Sequence, residues 1–295
     1  MKVLNFGSLN LDYVYSVDHM VTPGETLASS GMNMFCGGKG LNQSIALAKA
    51  GVHVFHAGMV GEEGDPLLAL CRESGVDDKY IKKIPGKSGH TIIQVDRNGQ
   101  NCILLYGGAN RSITKEYADE VLADFGRGDI LLLQNEVNLL DYMIDRAYEK
   151  GMMVILNPSP YDQAVKACDL TKVSMFLLNE VEGEQIAGEA EADKILEKLR
   201  ELYPQTKVVL TLGREGSVYQ DGENRYRQRS YRVKAIDTTA AGDTFTGYFI
   251  ASVLVEGRPV PEGLDFAAKA AAIAVSAEGA AASIPLRKEV EMDRL

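Results

Sequence analysis

Asp243 closes the segment Asp237-Thr-Thr-Ala-Ala-Gly-Asp243, in which small residues run straight into a helical stretch. Backbone amides near Ala241, Gly242 and Asp243 are free to point at one spot, and bare donors at a helix N-terminus stabilise the charge that develops on a transferred phosphoryl group. Gly242 leaves room for a phosphate, and Asp243 stands where an attacking hydroxyl needs a base. The plainer alternative is a first-turn acid with Asp237 or Thr238 as the cap, the commoner role of an Asp before a helix. A second small-residue turn, Cys36-Gly37-Gly38-Lys39-Gly40-Leu41-Asn42, opens a helical run over 41–50 and offers a seat for a polar ligand; a solvated turn competes with that reading. Asn10 and Asp12, two apart at the end of the first strand, face one side in extended geometry. Their donors and acceptors suit neighbouring sugar hydroxyls. Glu136 joins them at the C-terminal end of a strand, the edge where open α/β sheets bind ligands. A polar strand exit and a solvated acid remain the bland alternatives for these three.

These residues need a scaffold that brings distant segments together. Apolar runs over 2–9, 52–60, 129–134, 152–157, 175–178 and 207–212 alternate with helical stretches such as 138–150. Most are continuously apolar, which predicts a doubly wound, mostly parallel sheet with helices on both faces. Two stretches break the rhythm as hairpins, 89–105 around Asn98-Gly99 and 216–229 around Asp221-Gly222. With the extended segment 13–35, the first predicts a small β-sheet lid over residues 12–35 and 89–106, inserted in a single domain spanning 1–295. Helices are expected over 242–256 and 261–277.

Composition narrows the function. The chain has 295 residues, 45% hydrophobic, with 31 basic against 41 acidic residues and a net charge of -10, so nucleic acid is not an expected partner. The longest uncharged apolar stretch falls far short of the roughly 20 residues of a membrane span. Cys36, Cys71, Cys102 and Cys168 are scattered without a C-x-x-C pair and read as reduced, half-buried thiols. No signal or transit sequence is visible, so the cytoplasm is the expected compartment. None of the patterns G-x-G-x-x-G, G-x-x-x-x-G-K-[ST], G-x-S-x-G or H-E-x-x-H occurs.

Together the segments resemble the ribokinase family, also called phosphofructokinase-B type sugar kinases, across almost the whole chain. The N-terminal motif stands as Gly37-Gly38-Lys39-Gly40-Leu41-Asn42-Gln43 and the C-terminal one as Asp237-Thr-Thr-Ala-Ala-Gly-Asp243-Thr-Phe. Between them, Gly107-Gly108-Ala109-Asn110, Leu156-Asn157-Pro158-Ser159-Pro160, Asn179-Glu180-Val181-Glu182 and Thr211-Leu212-Gly213-Arg214-Glu215-Gly216 resemble further family segments. Ala240 departs from the glycine many members carry, and Gly257 looks like a one-residue insertion.

The resemblance implies transfer of the γ-phosphoryl of ATP to a sugar's primary hydroxyl, the 5-hydroxyl of D-ribose being favoured by Asn10, with Asp243 as base and the Ala241-Gly242 amides as anion hole. By the same analogy Asn10, Asp12, Gly38, Lys39, Asn42 and Glu136 hold the sugar. Asn179, Thr211, Leu212, Gly213, Arg214, Glu215, Gly216, Gly242 and Ala268 hold ATP. Glu182 is the acid linked to Mg²⁺, and Asp237, Thr239, Ala274, Ala277, Gly279 and Ser283 surround an activating K⁺, mostly through carbonyls. The lid is expected to clasp a homodimer, burying Tyr13, Tyr15, Met32, Met34 and Phe35. A nucleoside, deoxyribose or fructose kinase of the same family is the rival reading. A non-catalytic sugar-binding regulator is the rival from another class, but Asp243, Gly242 and Lys39 are all intact.

Overall fold

A computed structural model describes residues 1–292. Strand β1 (Val3–Phe6) leads through β2 (Asn10–Ser16) and β3 (Gly31–Gly37) to helix α1 (Lys39–Lys49), then β4 (Val54–Val60), α2 (Asp65–Glu73) and β5 (Asp77–Lys83). The hairpin β6 (Gly89–Val95) and β7 (Asn101–Tyr106) precedes α3 (Lys115–Leu122), β8 (Ile130–Gln134), α4 (Leu140–Glu149) and β9 (Met153–Asn157). Next come α5 (Gln163–Lys166), β10 (Met175–Asn179), α6 (Glu180–Ala187), α7 (Ala192–Leu202), β11 (Lys207–Thr211) and the hairpin β12 (Ser217–Asp221) and β13 (Asn224–Gln228). Helices α8 (Ala241–Phe249), α9 (Val260–Ala274), α10 (Ala280–Ser283) and α11 (Arg287–Met292) complete the described chain.

The large sheet has the order β13-β12-β11-β10-β9-β8-β1-β4-β5 and is parallel except where β12 and β13 are added antiparallel beyond β11. Central strands alternate their side chains between two apolar layers, because successive residues point to opposite faces. Val3, Val54, Ile130 and Leu132 join Leu41, Tyr248 and Leu264 in one layer, with α1, α8 and α9. Leu4, Phe6, Leu131 and Leu133 join Tyr117, Met143 and Leu196 in the other, with α3, α4 and α7. Among the described residues no helix is long and apolar enough to cross a membrane.

The lid is a separate four-stranded sheet, β3-β2-β6-β7. It is apolar on both faces: Tyr13 and Tyr15 lie opposite Met34 and Met32, whereas Phe35 lies opposite Asp12 on the other face. The five residues expected to be buried together therefore divide between two surfaces. Met32, Met34 and Phe35 are exposed and the two tyrosines half-buried.

Several elements differ from the sequence expectation. The first strand stops at Phe6, and Asn10 and Asp12 begin the lid strand β2 instead of ending the first strand. The chain turns there because Gly7 crosses Gly40 so closely that a Cβ on Gly7 would lie 2.6 Å from the Gly40 Cα. Strand β5 is absent from the apolar pattern because it is a charged edge strand, with Asp78, Lys82 and Lys83 paired to Arg72, Glu120 and Asp65. The helix expected over 242–256 is α-helical only to Phe249 and continues as a π-helical turn, Ile250–Val255. All four cysteines are free, Cys71 buried and Cys102 exposed rather than uniformly half-buried.

Helices α1 and α8 touch at Gly247, where a Cβ would stand 2.8 Å from both the Ala46 carbonyl carbon and the Leu47 amide nitrogen. Gly247→Ala forces the two helices apart and is expected to cost about 1–3 kcal/mol. Urea denaturation measures this; an unchanged midpoint shows that the helix contact is not tight.

Candidate active site

The N-terminus of α1 is assembled from outside the helix. Gly38 precedes it at φ 97° and supplies no side-chain cap. Any Cβ there would meet the Ser8 Oγ at 3.0 Å and the Ser8 carbonyl oxygen at 3.2 Å. The first-turn amides, which have no partners within a helix, are met by neighbours instead. The Lys39 amide donates to Glu136 Oε2 at 3.0 Å, the Gly40 amide to Ser8 Oγ at 3.2 Å, and the Ser8 hydroxyl to the same Glu136 oxygen. Burial pushes the Glu136 carboxyl above its usual range; the Ser8 hydroxyl and Lys39 draw it back only in part, and Asp243 adds to the rise. Glu136, expected only as a sugar ligand, is also the cap of α1.

One turn along, α1 presents two amides to Asp243. Asn42 Nδ2 donates to Asp243 Oδ2 at 3.1 Å and Gln43 Nε2 to Oδ1 at 2.9 Å. Asp243 is 8% exposed and lies in the first turn of α8. Ala240 before it adopts φ 61°, a left-handed conformation costing an alanine roughly 1–2 kcal/mol, which accounts for glycine being at home in this position. The Ala241 amide turns back to the Thr238 carbonyl at 3.3 Å, so the unengaged first-turn donors are Gly242 and Asp243. A Cβ on Gly242 would meet nothing within 4 Å, so its backbone faces open space.

These groups border a cavity of about 230 Å³, lined by Lys39, Asn179, Glu182, Thr211, Gly242 and Asp243 on expected site residues. Burial works against the Lys39 ammonium, but the carboxylates of Asp243, Glu136 and Glu182 together outweigh it and hold its pKa above the usual lysine range. Lys39, expected on the sugar, thus stands among residues expected to hold ATP. Asn179 and Glu182 form a capping box on α6: the Asn179 amide donates to Glu182 Oε2 at 2.8 Å and the Glu182 amide to Asn179 Oδ1 at 3.0 Å. In the loop after β11, Gly213 is open and Arg214 and Glu215 are exposed. Gly216, at φ 106°, abuts Arg229, whose Cα a Cβ would reach at 2.8 Å. Leu212 and Ala268 are 6% and 8% exposed, belong to the apolar layers and do not line the cavity.

The remaining polar residues gather under the lid. Asp12 Oδ1 accepts from the Thr91 hydroxyl at 2.5 Å, and any Cβ on Gly37 would strike Asp12 Oδ2. Burial raises the Asp12 pKa, the Thr91 bond opposing it in part. Asn10 Oδ1 accepts from Asn110 Nδ2 at 2.7 Å. Asn110 also grips the Leu9 backbone, accepting from its amide at 3.0 Å and donating to its carbonyl at 3.3 Å. Thr91, Asn110, Ser8 and Asn157 were not foreseen as individual site residues; Asn110 and Asn157 fall in segments that resemble family motifs, and Ser8 and Thr91 carry no such signal.

Metal fit differs between the two expected places. Among the described residues no three His, Cys, Asp or Glu side chains cluster as a metal cage. Asn157 and Glu182 nonetheless both line the cavity, and the buried Asn157 Oδ1 has no partner, a donor set that suits a hydrated cation carried chiefly by phosphates. Asp237 accepts from the Thr239 amide at 2.8 Å and the Gly279 amide at 3.1 Å, tying those two loops together. Burial raises its pKa, but these bonds outweigh that and hold the carboxyl below its usual range. The Val275 carbonyl accepts from the Ile236 amide at 2.7 Å, and the Ala277 amide donates to the Ala274 carbonyl at 3.2 Å. Ser283 Oγ donates to the Ala280 carbonyl at 3.0 Å, which turns its hydrogen inward to its own turn.

The description of the pfkB family carbohydrate kinases matches residues 1–287. Ribokinase of Haemophilus influenzae is 34% identical over 294 residues, covering 96% of this chain and 95% of that protein. The structure of ribokinase from Cryptococcus neoformans in complex with ADP superposes with a TM-score of 0.87 at 29% identity, covering 98% of each chain. That of Arabidopsis thaliana ribokinase complexed with ribose and ATP gives 0.86 at 28% identity, covering 98% of this chain and 97% of that one. Fold and sequence define a phosphotransferase that acts on a sugar. The chain belongs to the pfkB family of carbohydrate kinases.

Because the Asp12 pKa is raised by burial, the folded state is penalised while that carboxylate is ionised and relieved as pH falls through the raised value. Asp12→Asn is therefore expected to raise the unfolding free energy at pH 7 by about 0.5–2 kcal/mol, seen as a higher urea midpoint, with the gain shrinking as pH falls. A lower midpoint at pH 7 would show that the charged form is favoured by the fold.

Proposed function

We propose that this protein is an ATP-dependent ribose kinase that phosphorylates the 5-hydroxyl of D-ribose. The observation that carries the reading is the Asp243 carboxylate, 8% exposed, beside the unengaged Gly242 amide at the start of α8. Asp12, Asn10 and Glu136 accept from or donate to sugar hydroxyls, and Asn42 and Lys39 complete the grip. The hydroxyl oxygen attacks the γ-phosphorus, its proton passes to Asp243, and the bond to the bridging oxygen breaks to release ADP. The Gly242 and Asp243 amides and the Lys39 ammonium meet the charge that develops on the transferred group. Asn42 and Gln43 both donate to Asp243 and fix the orientation of its carboxylate. Asn179, Thr211 and the loop through Gly216 hold the nucleotide. Asn157 and Glu182 would hold Mg²⁺, which would supply neutralisation of phosphate charge.

A K⁺ ion belongs with the loops that Asp237 ties together, and two copies pair through the exposed apolar strands of the lid, Met32, Met34, Phe35, Ile103 and Leu104 among them. Use of ATP and reduced cysteines suits the cytoplasm. The test is ribose turnover with MgATP. Asp243→Asn is expected to lower kcat by at least about 10²-fold, as loss of a general base does, and exchange of K⁺ for Li⁺ at fixed ionic strength to lower it as well. Near-normal turnover of the variant removes Asp243 from the mechanism, and a flat ion response removes the K⁺ site.

A further inference from the structure

Three adjacent central strands each carry one fully buried polar side chain on the face turned toward α1: Asn5 on β1, His56 on β4 and Gln134 on β8. Asn5 and His56 lie opposite each other in register. Their alternate neighbours on that face, Val3, Val54 and Leu132, are core residues, so three polar groups have been set into an apolar layer. Such a placement is costly unless every group finds a partner. Each has hydrogen-bond partners, with only Gln134 Oε1 left without one, and the partners lead to Asp243.

We propose that Gln43, Gln134, Asn5, Ser44 and His56 are positioning residues that orient the Asp243 carboxylate through one continuous buried hydrogen-bond chain. Gln43 Nε2 donates to Asp243 Oδ1 at 2.9 Å. Gln134 Nε2 donates to Gln43 Oε1 at 2.7 Å and to Asn5 Oδ1 at 3.0 Å. Asn5 Nδ2 donates to Ser44 Oγ at 2.8 Å and to the Gly40 carbonyl at 2.7 Å. Ser44 Oγ meets His56 Nδ1 at 2.8 Å, and His56 Nε2 meets the Gly7 carbonyl at 3.2 Å.

The direction of every link follows from the ends. A carbonyl only accepts, so His56 Nε2 carries the hydrogen toward Gly7. Burial drives the His56 pKa down to about 4, so the ring is neutral, its Nδ1 is bare, and the Ser44 hydroxyl donates to it. The Gly40 carbonyl likewise fixes the Asn5 amide, which leaves the Asn5 oxygen facing Gln134. Gln134 spends both hydrogens of its amide, one on Asn5 and one on Gln43. Gln43 therefore has its oxygen engaged and only its own NH₂ to turn toward Asp243. Reversing any one amide sets oxygen against oxygen within the core. Side-chain amides do not relay protons, so the chain aims the carboxylate and does not conduct. Apart from Asp243, no member of the chain lines the cavity, and Lys39 and Glu136 are charged groups that act on Asp243 from outside it.

The inference rests on Asp243 being the base. Gln134→Met removes a link that touches neither Asp243 nor substrate. It is expected to lower kcat about fivefold or more, the effect of one weakened hydrogen bond, with both KM values within about twofold. The double variant with Gln43→Met is expected to lose no more than Gln43→Met alone. A purely structural role predicts lowered stability with unchanged kcat, and that result, or additive losses, overturns the chain. An activity-independent readout separates this from failure of the base assignment. The side-chain NH₂ of Gln43 is expected to be protected from solvent exchange in the native protein and to lose that protection in Gln134→Met, as seen by ¹⁵N NMR. Retained protection overturns the proposal whether or not any sugar is turned over. Should Gln134→Met fail to fold, Ser44→Ala carries the same measurements.

Discussion

A carboxylate almost removed from water must be satisfied by donors, and Asp243 draws its two from a helix some 200 positions away in sequence. Unmet, such a charge would be neutralised or would unfold its surroundings. The contact of α1 with α8 is therefore the constraint on which the site depends. It brings Asn42 and Gln43 to one side of Asp243 while the start of α8 leaves amides exposed on another. Gly247 allows that approach, since Ala46 and Leu47 occupy the space a side chain would need.

The same economy of space recurs at the other end of α1. Gly7 and Gly40 cross backbone to backbone, which puts Ser8 and Glu136 where they cap the helix from outside. The chain leaves the main sheet after Phe6 and enters the lid at Asn10, so one turn serves to end the first strand, cap α1 and start the lid. Gly37, Gly38 and Gly89 clear the way for Asp12, Ser8 and the Asn10–Asn110 pair in turn. The motif glycines read as ligand-approach residues in sequence are, in the fold, as much about side chains of the protein itself.

Much of this was legible beforehand. Continuous apolar strands such as Ile130–Gln134 announced a buried parallel sheet, and the two hairpins were visible through Asn98-Gly99 and Asp221-Gly222. The two glycine-bearing helix starts and their acids were visible as well. What escaped was whatever depended on three dimensions. Strand β5 hides behind its charges because an edge strand is satisfied by ion pairs rather than by an apolar pattern. The double duty of Glu136 and the position of Lys39 among acids come from packing, not from spacing. The polar residues Asn5, His56 and Gln134 did carry a signal, single polar positions inside apolar strands, which is where local rules yield to function.

The most direct test of the whole account is a coupled ADP-release assay with MgATP and K⁺, run across ribose, 2-deoxyribose, fructose and adenosine. Turnover selective for ribose is the predicted result. Turnover selective for adenosine would contradict free ribose as the acceptor and give the lid to base recognition, while silence on all four would contradict the proposed reaction itself.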